Sequence, residues 1–120
     1  MEGTLTSGKK WPSGTSASNT SLSANFTTIN GATKKYTYMT LPKPEFSPSI
    51  IVVEYNSGNT SITSCVVNNR GYACFYNNTT QTLNPYTFKY DSSCIDGNLI
   101  RIPIWSSNIV NPTFNWYAFE

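Results

Sequence analysis

From Leu22 onward the apolar residues fall at every second position in short runs, each cut by Asn, Gly, Pro or Ser, and no window repeats at the helical period. Leu22, Ala24, Phe26 and Thr28 line one face of a first strand, and Asn30-Gly31 then signals a hairpin into a second strand over residues 34–41. There Tyr36, Tyr38 and Thr40 point one way and Thr37, Met39 and Leu41 the other. Pro42, Pro44 and Pro48 make the following stretch an extended connector, because proline has no N–H to give to a ladder. Ile50-Ile51-Val52-Val53 is an unbroken apolar run, which predicts a strand covered on both faces. Turns at Ser57-Gly58-Asn59 and at Asn68-Asn69-Arg70-Gly71 bound strands over residues 61–67 and 72–77. Tyr86, Phe88 and Tyr90 share one face of the next strand. Asp96-Gly97 then turns the chain into a strand over residues 98–104, where Pro103 marks an edge or a bulge.

In the last strand Phe114, Trp116 and Ala118 fall on one face and Asn115, Tyr117 and Phe119 on the other, so neither face is fully polar. Such a strand belongs inside a sheet, with one face on the core and the other against a second body such as a neighbouring subunit. Together these runs predict an all-β chain, an antiparallel β-sandwich of about 6–8 strands, with a small antiparallel barrel as the other closure that this spacing allows. Residues 1–20 stand apart: Gly3, Gly8, Pro12 and Gly14 lie among Ser and Thr, with Trp11 the only aromatic residue. They read as an extended N-terminal arm or linker with Trp11 as an anchor, and residues 21–120 as one sandwich domain.

Asn, Ser and Thr supply 45 of the 120 residues, while charged residues are 12% and aromatics 14%. That composition suits stacking and amide hydrogen bonds to a neutral polar ligand, or packing into an oligomer. The same residue types also fit plain pleated strands and turns, so both uses stay open. A net charge of +2 with only the doublets Lys9-Lys10 and Lys34-Lys35 implies no nucleic-acid partner, although it leaves room for an anionic wall polymer. No run is long enough for a membrane span, so no membrane insertion is expected. Cys65, Cys74 and Cys94 form no CxxC, and no apolar leader follows Met1. Free thiols in a reducing cytosol and no signal peptide are the expectation, with one Cys65–Cys74 disulfide across the hairpin as the alternative.

There is no histidine, which removes the usual general base, the Ser-His-Asp and Cys-His arrangements and the commonest metal ligand. Glu54 with Asp91 or Asp96 is the only carboxylate pairing to weigh for glycoside cleavage, and nothing in the spacing supports it. The stretch from Asp91 to Asn98 offers oxygen ligands but lacks the acidic density and closing Glu of a calcium loop, and no phosphate-binding glycine motif occurs. No enzyme, metal or cofactor is expected. What remains is a binding surface. Tyr72, Tyr76, Tyr86, Tyr90 and Trp105 lie near turn-rich segments, where a ring stacks on the apolar face of a sugar and Asn side chains bond its hydroxyls; core packing is the alternative for each. Trp116, Tyr117 and Phe119 are the candidates for an oligomer interface.

Three stretches resemble a known family. Ser7-Gly8-Lys9-Lys10-Trp11-Pro12-Ser13-Gly14-Thr15 is similar to the segment that joins a fibre tip to its shaft. Phe46-Ser47-Pro48-Ser49-Ile50-Ile51-Val52-Val53 resembles an F-x-P-S element running into an apolar strand. Asn98-Leu99-Ile100-Arg101-Ile102-Pro103-Ile104 leading to Phe114-Asn115-Trp116-Tyr117-Ala118-Phe119-Glu120 is similar to a strand ending in proline and a closing W-x-A-x-E. These belong to the receptor-binding tip domains of phage and prophage tail fibres and minor tail proteins, chiefly from Gram-positive hosts; the chain also resembles the H-type lectin fold. It departs at Leu99-Ile100-Arg101, where a Gly-Phe pair is typical, so no family binding residue is carried over. The resemblance implies an H-type-lectin-like sandwich that forms a homotrimer with other tail or fibre proteins in the virion, made in the bacterial cytoplasm. It would adhere without catalysis to host cell-surface polysaccharide or teichoic acid. The alternative class is a structural virion part, a fibre cap or head decoration protein whose aromatics serve assembly.

Overall fold

Two antiparallel sheets pack into a β-sandwich in the computed structural model, which describes residues 12–17, 22–56, 60–104 and 113–120. The strands are β1 (Ser13–Ala17), β2 (Ser23–Thr27), β3 (Thr33–Pro42), β4 (Ile50–Asn56), β5 (Thr60–Val67), β6 (Arg70–Asn77), β7 (Thr82–Lys89), β8 (Ile95–Asp96), β9 (Leu99–Pro103) and β10 (Thr113–Phe119). The larger sheet has six strands in the order β1-β10-β4-β5-β6-β7, and the smaller has four in the order β2-β3-β9-β8. Two of these are not legible as alternating runs. Strand β8 has only two residues, and β1 lies within the stretch read as an arm, paired along its length with β10. Its sequence has no apolar period; what holds it is the ladder to β10 and the fit of Gly14 over the Trp116 indole, 3.0 Å from where a Cβ would sit. Trp11, the turn at residues 57–59 and the loop at residues 106–112 lie outside the described residues.

Alternation sorts the larger sheet cleanly. Ile51, Val53, Ile62, Val66, Ala73, Phe88, Phe114, Trp116 and Ala118 face inward and form the core with Phe26, Met39, Leu41, Ile100 and Ile102 of the smaller sheet. On β3 both faces are covered: Met39 and Leu41 are buried, while Tyr36 and Tyr38 on the other side lean on the ring of Phe26, at 6.3 and 6.1 Å between centroids. Ser64 is the buried polar side chain of this core, and its hydroxyl donates to the Pro103 carbonyl at 2.7 Å, tying β5 to β9 across the sandwich.

The turns explain the register. Asn68 and Asn69, both at positive φ (50° and 71°), form a two-residue hairpin turn of the kind that matches strand twist. Gly71, expected in that turn, is instead a strand residue directly opposite Phe88, whose ring occupies the space a side chain would need. The Asn30-Gly31 hairpin forms as expected, with Gly31 at φ 91°. Pro85 sits on β7, the edge of the larger sheet, and Pro103 lies beyond the short β8 pairing, so neither proline leaves a ladder bond unmade.

The expectation for β4 fails. The Ile50–Val53 run is covered on one face only: Ile51 and Val53 are buried, whereas Ile50 is 37% exposed and Val52 half-buried on the outer face of the larger sheet.

Candidate functional site

The sequence-predicted aromatics do not converge on one place. Tyr72 and Tyr76 lie on the outer face of β6, four residues apart with Cys74 between them on the same side, and Tyr72 is 46% exposed. Tyr86 points inward from β7 and packs on the core. Tyr90 follows β7 and borders a groove of about 360 Å³ with Pro44, Phe46 and Pro48 of the proline connector. Burial, with a smaller contribution from Cys94, pushes its hydroxyl up to about 12. Trp105 lies outside the described residues. Of the interface candidates, Tyr117 and Phe119 are on the outer face of β10, but Trp116 is a correction: it points inward and is 7% exposed, because one step of alternation puts it with Phe114 and Ala118.

The carboxylates do not meet either. Glu54 is on the outer face of β4, whereas Asp96 belongs to the smaller sheet and pairs with Arg101 at 3.1 Å. Asp91 caps a single 3₁₀ turn (Ser92–Cys94), accepting from the Ser93 N–H at 2.9 Å and from its hydroxyl. Among the described residues, no three His, Cys, Asp or Glu side chains gather where they could hold a metal ion. Cys65 and Cys74 are free thiols, diagonal rather than opposite across the β5–β6 ladder, where Thr63 faces Cys74 and Cys65 faces Tyr72.

Two clefts offer ligand chemistry. The first, about 430 Å³, lies where the β2–β3 hairpin meets β7 and is bordered by Asn30, Thr33, Lys34, Tyr36, Tyr86 and Thr87. Its floor is an aromatic pair: Tyr36 and Tyr86 stack at 4.4 Å between centroids with their planes 16° apart. Sequence reasoning singled out Tyr86 but missed Tyr36, because the stack joins residues far apart in the chain and on different sheets. Burial, then the neighbouring Tyr36, raises the Tyr86 hydroxyl far above its ordinary range, so it stays neutral. Lys34 Nζ lies over the Tyr36 ring, 5.5 Å from its centre, which adds a cation to the aromatic lining.

The hairpin loop that walls this cleft is braced from within. The Thr28 N–H donates to the Ala32 carbonyl at 2.7 Å and the Gly31 N–H to the Thr28 carbonyl at 2.9 Å. The Thr28 hydroxyl donates to Asn30 Oδ1, which leaves the Asn30 carboxamide nitrogen as a donor for a ligand. A wall fixed before binding loses little entropy on binding.

The second cleft, about 360 Å³, lies at the polar end of the outer face and is bordered by Glu54, Asn56, Ser61, Thr63, Thr113 and Asn115. Among the described residues it carries hydroxyls, amides and the Glu54 carboxylate but no cation. Its aromatic neighbour, Tyr55, is turned toward Phe114, 5.7 Å away between centroids. The first cleft therefore combines more of what recognises a sugar: an apolar ring surface, an amide donor, hydroxyls and one positive charge. Set against protein families, curated proteins and solved structures, the chain matches none.

Proposed function

We propose that this chain is a non-enzymatic adhesion module that binds cell-surface glycan at the cleft between the β2–β3 hairpin and β7. The observation that carries the reading is a cleft lined by the stacked Tyr36–Tyr86 pair, by Lys34 over the Tyr36 ring, and by Asn30, Thr33 and Thr87. A pyranose face packs on such a floor while its hydroxyls bond the amide and threonines, and Lys34 favours a sugar or polyol phosphate carrying negative charge, such as a teichoic acid. The setting that fits is the tip of a phage tail fibre with an H-type-lectin-like sandwich, held with other fibre proteins in a virion and acting as a homotrimer. Weak single sites then add up to firm attachment when several engage one surface.

The test is binding of the labelled chain to a panel of Gram-positive cells and to immobilised glycans, with wall teichoic acid as competitor. Lys34→Gln removes one charge-assisted contact, worth about 1.5–3 kcal/mol, and should weaken binding to anionic glycan roughly tenfold to a hundredfold. Asn115→Ala in the second cleft should leave binding unchanged. Folded wild-type chain that binds no cell and no glycan would overturn this reading in favour of a structural virion protein.

A further inference from the structure

Glu54 is the one charged residue in its row of the larger sheet. Across the strands that row reads Thr15, Asn115, Glu54, Thr63, Cys74 and Pro85, each directly opposite the next. Its diagonal neighbours on the same face are neutral as well: Thr113 and Tyr117 on β10, Ser61 and Cys65 on β5. Along β4 the next residues on that face are Val52 and Asn56. The segments that adjoin this end of β1, β4, β5 and β10 in the sequence, residues 18–21, 57–59 and 106–112, contain no Lys or Arg. Asp96 has Arg101 at 3.1 Å and Asp91 has the Ser93 N–H and hydroxyl, whereas Glu54 makes no ion pair among the described residues. The chain thus sets a carboxylate into a concave, neutral, hydrogen-bonding surface and supplies no counter-charge on that face.

We infer that this second cleft binds a protonated amino sugar, with the ammonium group of the ligand on Glu54 and its hydroxyls on the side chains around it. Directly opposite residues hold their Cβ atoms about 4.5–5.5 Å apart, so the Asn115 amide and the Thr63 hydroxyl stand on either side of the carboxylate. An ammonium group offers three donors and no acceptor, and the three acceptors nearest one another here are the Glu54 carboxylate, the Asn115 carbonyl oxygen and the Thr63 hydroxyl. The bond to the carboxylate is charge-assisted and sets the preference for an amine over a hydroxyl. Ser61 and Thr113, one step further along the strands, add hydroxyls that both donate and accept, as a polyol requires. Tyr55 borders the same cleft with its ring leaning on Phe114, which gives the site one fixed aromatic wall.

Size and charge narrow the ligand further. A volume of about 360 Å³ is at the small end of the roughly 300–1,000 Å³ of ligand pockets, which suits one ring rather than a chain of them. A hard divalent cation is a poorer fit, since it takes about six or more oxygen ligands, commonly from several carboxylates, and this cleft has one. The inference goes beyond the adhesion reading and does not depend on it. A polyanion drawn to Lys34 is repelled by Glu54, so the two clefts select ligands of opposite charge.

The test is a titration of the isotope-labelled chain with glucosamine, glucose and N-acetylglucosamine, followed by the amide NMR signals just below neutral pH, where the amine carries its proton. Glucosamine should shift the Glu54, Thr63 and Asn115 signals saturably, with a dissociation constant on the order of millimolar, as befits a single ring. The two neutral sugars should bind there about tenfold more weakly or less. Glu54→Gln, at an exposed position that leaves the core untouched, should abolish the preference for the amine, and Asn115→Ala should weaken binding, while Lys34→Gln should leave it unchanged. Absence of a saturable shift, equal binding of the three sugars, or a preference that survives Glu54→Gln would overturn the inference and leave Glu54 a solvated carboxylate. Binding to anionic glycan is scored separately: its loss in Lys34→Gln alone concerns the first cleft, and its absence in the wild type refutes the adhesion reading without touching this one.

Discussion

Replacing Gly71 by alanine tests the packing of the sandwich at its tightest point. A Cβ at this position would lie 2.1, 2.2 and 2.4 Å from Cζ, Cε2 and Cε1 of Phe88. Carbon atoms rest about 3.5–4.0 Å apart, so the ring has to retreat by about 1.5 Å. Phe88 is fully buried among the core residues, which leaves it nowhere to retreat without displacing neighbours. Overpacking of this kind costs about 1–3 kcal/mol, and the contact of three ring atoms puts Gly71→Ala at the upper end. Against that, alanine recovers about 0.5–1 kcal/mol of the entropy a strand glycine loses. The net expectation is a loss of about 2 kcal/mol, or roughly 6–10 °C in thermal midpoint for a chain of this size. Urea titration followed by circular dichroism measures it. Phe88→Leu should cost about 1 kcal/mol alone and suppress most of the Gly71→Ala penalty when combined, giving a coupling of about 1 kcal/mol or more. A Gly71→Ala chain as stable as the wild type, or strictly additive effects in the double variant, would refute the account of Gly71 as the seat of the Phe88 ring.

Ser64→Ala should lose about 1–3 kcal/mol in the same urea assay, because the Pro103 carbonyl is left buried without its donor. Native-state titration with a thiol reagent should leave Cys94 silent until the chain unfolds, since it is fully buried and burial pushes its thiol up to about 11. Cys65 and Cys74, whose thiols are also raised by burial, should react more slowly at pH 8 than a free thiol; three rapidly reacting thiols would contradict the core. Burial works against the Asp91 carboxylate, but the hydrogen bonds from Ser93 outweigh it and hold the group below its ordinary value of 3.8. A depressed carboxylate stabilises the fold above its unfolded value and loses that contribution as pH falls through the folded one. The stability gap between wild type and Asp91→Ala should therefore narrow below about pH 4, and a gap constant from pH 6 to pH 2.5 would show that the carboxylate contributes no charge-dependent term.

What was legible in the sequence follows from what a period of two encodes. Alternation with Asn-Gly, Asn-Asn and Asp-Gly punctuation located the strands from β2 to β7 and also β9 and β10, because those patterns are local. β1 was illegible, since Ser13 to Ala17 pair only because β10 is there to receive them, and so was the stack of Tyr36 on Tyr86, which the sandwich creates between two sheets. Gly71 drew the turn toward itself because glycine signals turns more often than it seats a ring, while Asn68-Asn69 already held the two positive φ values the hairpin needs. The division of β10 into faces was legible, but which face is core was not, because both carry aromatics. Only the ladders to β4 and β1 place Trp116 inside and Tyr117 outside. β4 poses the same ambiguity with its unbroken Ile50–Val53 run. In both strands a single chain satisfies one face and leaves the other apolar and open, and the two open faces are neighbours in one sheet. The alternation that failed to name the inner face of β10 thus recorded more apolar positions than one sandwich interior takes up.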